Sequence, residues 1–351
     1  MTRSVSLGGL LRNMREFQVA DLCMGSVILN DSSVSNIDYS RDGNYAVSTT
    51  TEGAIHLIDC MTGIEKKKMY SRTQGIGQMK YTHHPSCILL SSTQKSNDIR
   101  YMCMHDNRFL RMFKHKEDRV TSMAMNPIDD CFLSASSSSV FLWSLGSTTP
   151  IAKLLLPQNT EQTSVAYDGT GLVFGVSCFD GNSRSRSIKL FDARNFEHGP
   201  FEDLSPTFDQ ITAALSSSQS LALAQAQAQR ILQSAWSSFE FSPDGFHLLV
   251  NTSEALIVLD GFKKDVPPVI IPRKNESGAT LGGCLSADAK FVFSGTEDNE
   301  LQVYDKLTGT LRNTFSGHVA PVGYVRCNPK YDVVASGCVN TALWIRGPAS
   351  M

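Results

Sequence analysis

Three kinds of residue grouping in this sequence have the composition for chemistry. The first is glycine-rich: Gly75-Ile76-Gly77 and Leu281-Gly282-Gly283. Such turns cradle phosphate when a further glycine and a helix N-terminus follow, because backbone N–H groups then converge on the anion. Neither run has that continuation, so tight turns or close backbone packing account for both. The second is His83-His84, beside Pro85. Two imidazoles suit a metal, but no second ligand pair stands at metal-site spacing, and a turn is the simpler role. The third is nucleophilic. Ser and Asp are plentiful, yet no GxSxG elbow occurs. Nine cysteines, at 23, 60, 87, 103, 131, 178, 284, 327 and 338, include no CxxC pair. Most sit in apolar runs such as Tyr101-Met102-Cys103-Met104, as small buried hydrophobes of a reducing compartment do. No catalytic residue, cofactor site or metal site is therefore expected, no small-molecule substrate either, and function must lie in binding.

For binding, the most basic loop is Asn182-Ser183-Arg184-Ser185-Arg186-Ser187. Arg184 and Arg186 suit phosphoserines or acidic side chains, and equally suit a flexible solvated turn. Lys66-Lys67-Lys68 reads as a solvated strand end. The 351 residues are 41% hydrophobic and 19% charged, ample for a buried core. With 32 basic and 34 acidic residues the formal net charge is −2, so no global field attracts nucleic acid or an anionic membrane. No apolar stretch reaches the ~18 residues of a membrane helix. The N-terminal MTRSVSLGGLLRNMREF has no long apolar run, so a secretory signal is not expected. Three glycosylation-type triplets, at Asn30, Asn251 and Asn275, are then chance matches. A cytosolic or nuclear protein is implied.

The elements that position these residues recur. Each unit reads as strand, turn, strand, polar turn, and a third strand closing on an aromatic or aliphatic residue followed by a polar one. Those third strands are 54–59, 99–106, 140–144, 188–192, 256–260, 301–305 and 342–345. Marks at 59, 106, 144, 192, 260, 305 and 345 are separated by 47, 38, 48, 68, 45 and 40 residues. Five of the six lie near the ~40–45 residues of a four-stranded propeller blade. Turns rich in Pro, Asp and Gly precede the second strands, as Ser40-Arg41-Asp42-Gly43, Asn126-Pro127, Ser242-Pro243-Asp244-Gly245 and Asn328-Pro329 do. The fold expected is all-β: a seven-bladed β-propeller over 17–347, between an N-terminal extension, 1–16, and a tail, 348–351. Blade seven has only three strands, so a segment within Phe17–Leu29 should supply the fourth and close the ring. The long gap holds an insertion at about 205–234, including LALAQAQAQRILQ. It is composed of helix formers, but its apolar residues alternate. It reads as an extra helix or as a partly disordered low-complexity loop, and the alternation favours the loop.

Further residues carry a family likeness. Gly317-His318 precedes the last blade, Lys114-His115 stands at the equivalent place in blade three, and Asp298 lies six residues before Tyr304. These partly keep the hallmark polar set of the WD-repeat family, which the chain resembles, and the set must be incomplete in several blades. Tyr81-Thr82-His83, Ile99-Arg100-Tyr101 with His105-Asp106-Asn107, Ile188-Lys189-Leu190-Phe191-Asp192 leading to Gly199-Pro200-Phe201, Asn328-Pro329-Lys330 and Ala335-Ser336-Gly337-Cys338 narrow the likeness. Across about 15–347 they resemble the small nuclear propeller shared by two RNA polymerase II machines. The resemblance implies a scaffold, with a SET-domain methyltransferase as partner in a COMPASS-type histone H3 lysine-4 complex. It implies a phosphatase-complex scaffold protein as partner in a termination and RNA 3′-end-processing complex, and association with the phosphorylated polymerase tail. Candidate partner-binding residues are Lys95, Asp98, Arg184, Arg186, Glu297 and Asp298 on top-rim loops. His105, Asp106, Pro200 and Phe201 join them on the resemblance alone. The insertion, the N-terminal extension and the degenerate blades mark divergence from that propeller.

Overall fold

The computed structural model describes residues 19, 22–115, 118–156, 163–181, 185–217 and 219–346. The proposed extension and tail, and Arg184, lie outside them. Among the described residues the strands form seven four-stranded sheets, and the chain is a seven-bladed β-propeller. The blades cover 34–70, 79–113, 122–155, 165–204, 236–272 and 283–316, with blade seven at 324–346. In the first six, strands neighbour one another in chain order. Blade seven takes its outer strand from Leu22–Ile28, which pairs antiparallel with Thr341–Arg346, Cys23 opposite Ile345 and Val27 opposite Ala342. The missing strand is thus where the sequence placed it, and the edge of Thr341–Arg346 is covered.

Second strands are buried on both faces, fully so in Cys87–Ser91 and Val333–Gly337. This is why they carry continuous apolar or small residues rather than an alternation. Gly282 behaves as a packing glycine: a Cβ there would stand 2.7 Å from Val325 N and 2.8 Å from Tyr324 Cα. One boundary differs from expectation. The third strand of blade two is Ile99–Cys103, and Met104–Asn107 forms a turn instead of continuing it. Asn107 has φ +54° there, a left-handed conformation that Asn tolerates.

The recurrent turns work by side-chain capping. Ser40 and Ser286 hydroxyls donate to Asp42 and Asp288 at 2.6 Å, and Ser242 donates to Asp244 in the same way. In the Asn-Pro turns the Asn Oδ1 accepts two backbone N–H groups, from Lys330 and Tyr331 at Asn328, and from Ile128 and Asp129 at Asn126. Each Asn then donates to the turn glycine of the following blade, Asn328 to Gly43 O at 2.8 Å and Asn126 to Gly171 O at 3.1 Å. Gly43 has φ +73°, and a Cβ would collide with Asn328 Oδ1. Gly245 has φ +76° with open space around it. Gly43→Ala should therefore cost about 2–3 kcal/mol and Gly245→Ala only the backbone strain, about 1 kcal/mol. Thermal melts of the two variants side by side separate collision from strain.

The insertion corrects the expectation of a loop. It folds as α1 (Phe208–Ser216) and α2 (Leu221–Gln233). Thr207 and Gln210 form a reciprocal capping box, the Thr207 hydroxyl accepting Gln210 N–H at 3.2 Å and Gln210 Oε1 accepting Thr207 N–H at 3.0 Å. The alternation of Leu and Ala misleads, because Leu221 and Leu223 are exposed. The buried stripe is Ala224, Ala228 and Ile231, at helical spacing, packed with Ile211 and Leu215 into one core with Trp236, Phe239 and Ile257.

The chain groups into two compact units. One comprises Met1–Met112, Ala279–Asp305 and Thr310–Met351, the other Phe113–Gly278 with Lys306–Gly309. Within the first, blade seven keeps a polar relay. Trp344 Nε1 donates to Ser336 Oγ at 2.6 Å, and Ser336 Oγ bonds His318 Nε2 at 2.6 Å. Within the second, Trp143 Nε1 donates to Ser134 Oγ at 2.9 Å while the His115 ring meets Phe141 edge-on at 4.9 Å. Blade two has apolar Leu90 and Met102 in the Ser and Trp registers. There Arg100, 1% exposed, takes over, donating to Ser71 Oγ and Gly75 O, both at 2.7 Å. Burial pulls its pKa down to about 10, so it remains a buried cation at neutral pH.

Candidate partner-binding surface

In a four-stranded antiparallel blade the second-to-third turn lies at one end and the third-to-fourth turn at the other. That rule sorts the candidate residues into two sets. Lys95 and Asp98 lie in the second-to-third connection of blade two, between Cys87–Ser91 and Ile99–Cys103. Glu297 and Asp298 hold the same place in blade six, between Phe291–Gly295 and Glu300–Asp305. Both connections reverse through a left-handed residue, Lys95 at φ +63° and Asn299 at φ +65°. The first is tied by Asp98 N–H to Ser96 Oγ at 3.4 Å, the second by Glu300 N–H to Thr296 Oγ1 at 3.0 Å. Lys95 and Asp298 are exposed, Asp98 and Glu297 half-buried.

His105, Asp106, Pro200 and Phe201 lie at the opposite blade ends, in the third-to-fourth turns of blades two and four. His105 Nδ1 and Asp106 Oδ1 are 2.6 Å apart, and this bond holds the Asp106 carboxyl below its ordinary range. Lys67 Nζ braces that turn from blade one by donating to Met104 O at 2.8 Å and His105 O at 2.7 Å. Lys66 pairs with Asp59 at 2.9 Å and Lys68 with Asp31 at 2.7 Å, so the lysine run is an ion-paired outer strand. Phe201 is 60% exposed, and the next residue, Glu202, pairs with Lys264 of blade five.

Arg186 differs from the loop residue the sequence suggested. It lies in strand Ser185–Asp192, opposite Phe179, with its guanidinium 4.5 Å from that ring. Together with Ser185, Ser205 and Thr207 it lines a cavity of about 310 Å³. Phe208, Ile211, Ile231, Trp236 and Ile257 give this cavity apolar walls. Insertion helices, blade four and blade five meet there, a junction that no local sequence signal announces. The Thr207/Gln210 capping box was the one signal that could have located its roof. Among the described residues no three His, Cys, Asp or Glu side chains gather as a metal would require, and no helix is long and apolar enough to cross a membrane. What this surface offers is turn-borne side chains on rigid sheets, and one amphipathic cavity with a cation at its wall.

Seven four-stranded blades make a β-propeller, and the Trp–Ser bonding inside two of them gives it the likeness of a WD-repeat propeller. The profile of the WD domain, G-beta repeat matches residues 107–144. Within that class the chain resembles WD repeat-containing protein 82 of Drosophila melanogaster, with 29% identity over 335 residues, 95% of each chain. It is similar to the Set1 complex component swd2 of Schizosaccharomyces pombe, 27% identical over 279 residues, 77% of this chain and 70% of the relative. It is also similar to the COMPASS component SWD2 of Saccharomyces cerevisiae, 24% identical over 324 residues, 86% of this chain and 87% of the relative.

Proposed function

We propose that this chain is a non-catalytic scaffold subunit of nuclear complexes acting on RNA polymerase II transcription, with 17–347 as its propeller domain. Its setting is a COMPASS-type histone H3 lysine-4 methyltransferase complex, a phosphatase-containing termination and 3′-end-processing complex, or both. The observation that carries this reading is likeness over 95% of both chains to WD repeat-containing protein 82, alongside relatives named for Set1 and COMPASS complexes. The physical support is the rigidity of the blades, which present short turns to partner segments at little ordering cost. Lys95, Asp98, Glu297 and Asp298 at one set of blade ends, and His105, Asp106, Pro200 and Phe201 at the other, are the proposed contacts. The test is affinity purification of the tagged protein from nuclear extract with mass spectrometry. Recovery of a SET-domain methyltransferase, or of a phosphatase with its scaffold protein, supports the reading and selects the branch. Recovery of cytosolic machinery alone sinks the transcriptional assignment and leaves a WD-repeat adaptor acting elsewhere.

A second reading has its own observation. Arg186 and three hydroxyl residues share the wall of the 310 Å³ cavity, a donor set suited to a phosphorylated peptide of the polymerase tail. Arg186→Glu should weaken binding of such a peptide about tenfold or more, the worth of a charge-assisted bond, and leave the scaffold pull-down intact. Fluorescence titration of Trp236 against phosphorylated and unphosphorylated peptides measures it. Equal affinities for the two peptides would discard this reading alone.

A further inference from the structure

In blade six Asp298 stands six residues before Tyr304, the terminal aromatic of the third strand; in blade seven the residue six before Trp344 is Cys338. The thiol therefore occupies the place of a turn carboxylate, and its bonding shows what replaces it. Cys338 Sγ is 3.1 Å from His318 Nδ1 and 3.4 Å from the Asn340 backbone N–H. His318 Nε2 bonds Ser336 Oγ, which already accepts Trp344 Nε1–H. An indole N–H can only donate, which leaves the Ser336 hydroxyl its own proton for a second bond. With the Ser336 O–H directed at His318 Nε2, His318 Nδ1–H donates to sulfur, and Asn340 N–H donates to sulfur as well. Two donors converge on Sγ, an arrangement made for an anionic acceptor.

We infer that Cys338 is a modification site for small hydroperoxides, held by His318, Ser336 and Trp344 as a thiolate in the last blade. The thiolate attacks one peroxide oxygen, an S–O bond forming as the O–O bond breaks. Sulfur loses two electrons to become a sulfenic acid, and the hydroxide or alkoxide released takes a proton from solvent. Burial by itself would raise the thiol, but the hydrogen bonds from His318 and the Asn340 N–H outweigh it and hold the pKa at about 7. Elsewhere burial prevails and pushes Cys87 and Cys178 up to about 11, and Cys60 higher still. Cys338 is 6% exposed, Cys87 3% and Cys178 7%, so these thiols differ in ionisation rather than in access. His318 is half-buried and Val319, next to it, is 68% exposed, so the relay ends close to the surface.

The placement gives oxidation a structural consequence. Cys338 O accepts Val34 N–H at 2.8 Å, and Asn30 binds the same turn through Val339 O at 3.1 Å and Asn340 Oδ1 at 3.3 Å. The turn thus fastens the segment that leaves the closing strand Leu22–Ile28. An oxygen added to Sγ changes the partner that His318 meets at 3.1 Å, and with it the bonding of that fastening turn.

The inference is independent of the scaffold reading. Its test is hydrogen peroxide treatment of the full chain from pH 6 to 9, trapping sulfenic acid with a dimedone-type probe and quantifying each cysteine peptide by mass spectrometry. Cys338 should be labelled well ahead of Cys60, Cys87 and Cys178, with a rate midpoint near pH 7. His318→Gln should slow it about tenfold at pH 7, as expected for a thiolate that has lost its donor. Cys338→Asp should abolish labelling at this position and keep the wild-type melting temperature. Labelling of Cys338 no faster than the three buried thiols, or a midpoint above pH 8.5, overturns the inference. If His318→Gln does not fold, the wild-type pH profile decides by itself.

Discussion

Replacing Arg100 by alanine is expected to lower stability by about 3–5 kcal/mol, the largest effect of any single substitution considered. Arg100 is fully buried, and its two charge-assisted bonds, to Ser71 Oγ and Gly75 O, hold the loop that links blades one and two. Such bonds contribute about 1.5–3 kcal/mol each, and the truncation also opens a cavity beneath Phe109, whose ring lies 5.3 Å from the guanidinium. Against this stands the recovered cost of burying a cation with only neutral acceptors around it, which keeps the net below the sum. Arg100→Met retains most of the volume but leaves Ser71 and Gly75 unbonded, so about half of the loss should remain. Chemical denaturation midpoints of the two variants measure both parts. A wild-type midpoint for Arg100→Met would mean that the side chain serves as filling and the loop holds itself.

The second large effect is expected at Lys306, which is 3% exposed. Its Nζ donates to Asp244 Oδ2 at 2.6 Å and lies 3.2 Å from His247 Nδ1. Asp244 also accepts the Ser242 hydroxyl and Phe246 N–H at 3.0 Å. Removing one partner of a buried pair costs about 3–5 kcal/mol; with Asp244 still 31% exposed, Lys306→Met should cost about 2–3 kcal/mol. The pair also fixes an acid dependence. Burial raises Asp244, but the hydrogen bonds of Lys306 and Ser242 prevail and hold it at about 2, below the ordinary aspartate value of 3.8. Its contribution, about 2 kcal/mol, is present above pH 4 and is lost as pH falls from about 4 to 2. His247 is held below its usual value by burial and by Lys306, so the unfolded chain takes up that proton first and stability also declines below about pH 6.5. In Lys306→Met the decline between pH 4 and 2 should flatten. An unchanged slope there would show that the Asp244–Lys306 pair contributes nothing to acid stability.

Much of the architecture was legible because propeller blades are local objects. Each pairs strands that are close in sequence, so the apolar runs and the Ser-x-Asp and Asn-Pro turns carried the period without long-range information. The closing strand Leu22–Ile28 was legible for a different reason, since a three-stranded last blade demands an edge partner. The insertion misled because its buried stripe is made of alanines, whose small side chains give little contrast against the exposed Leu221 and Leu223. The candidate residues were recognisable as turn residues. Antiparallel topology, however, assigned Lys95 and Glu297 to one kind of blade end and His105 and Phe201 to the other.

By itself, then, the sequence determined the blade count, the positions of the turns, the closing strand and a surface free of global charge, all properties of neighbouring residues or of composition. The meeting of distant polar groups was decided only by tertiary structure: Arg100 with Gly75, Lys306 with Asp244, His318 with Cys338, and Arg186 with the roof of the insertion helices. The physical reason is that such contacts join residues from separate turns and strands. Whether a cation meets an anion, or a thiol meets an imidazole, depends on how those elements pack together, and the period of any one blade carries no record of it.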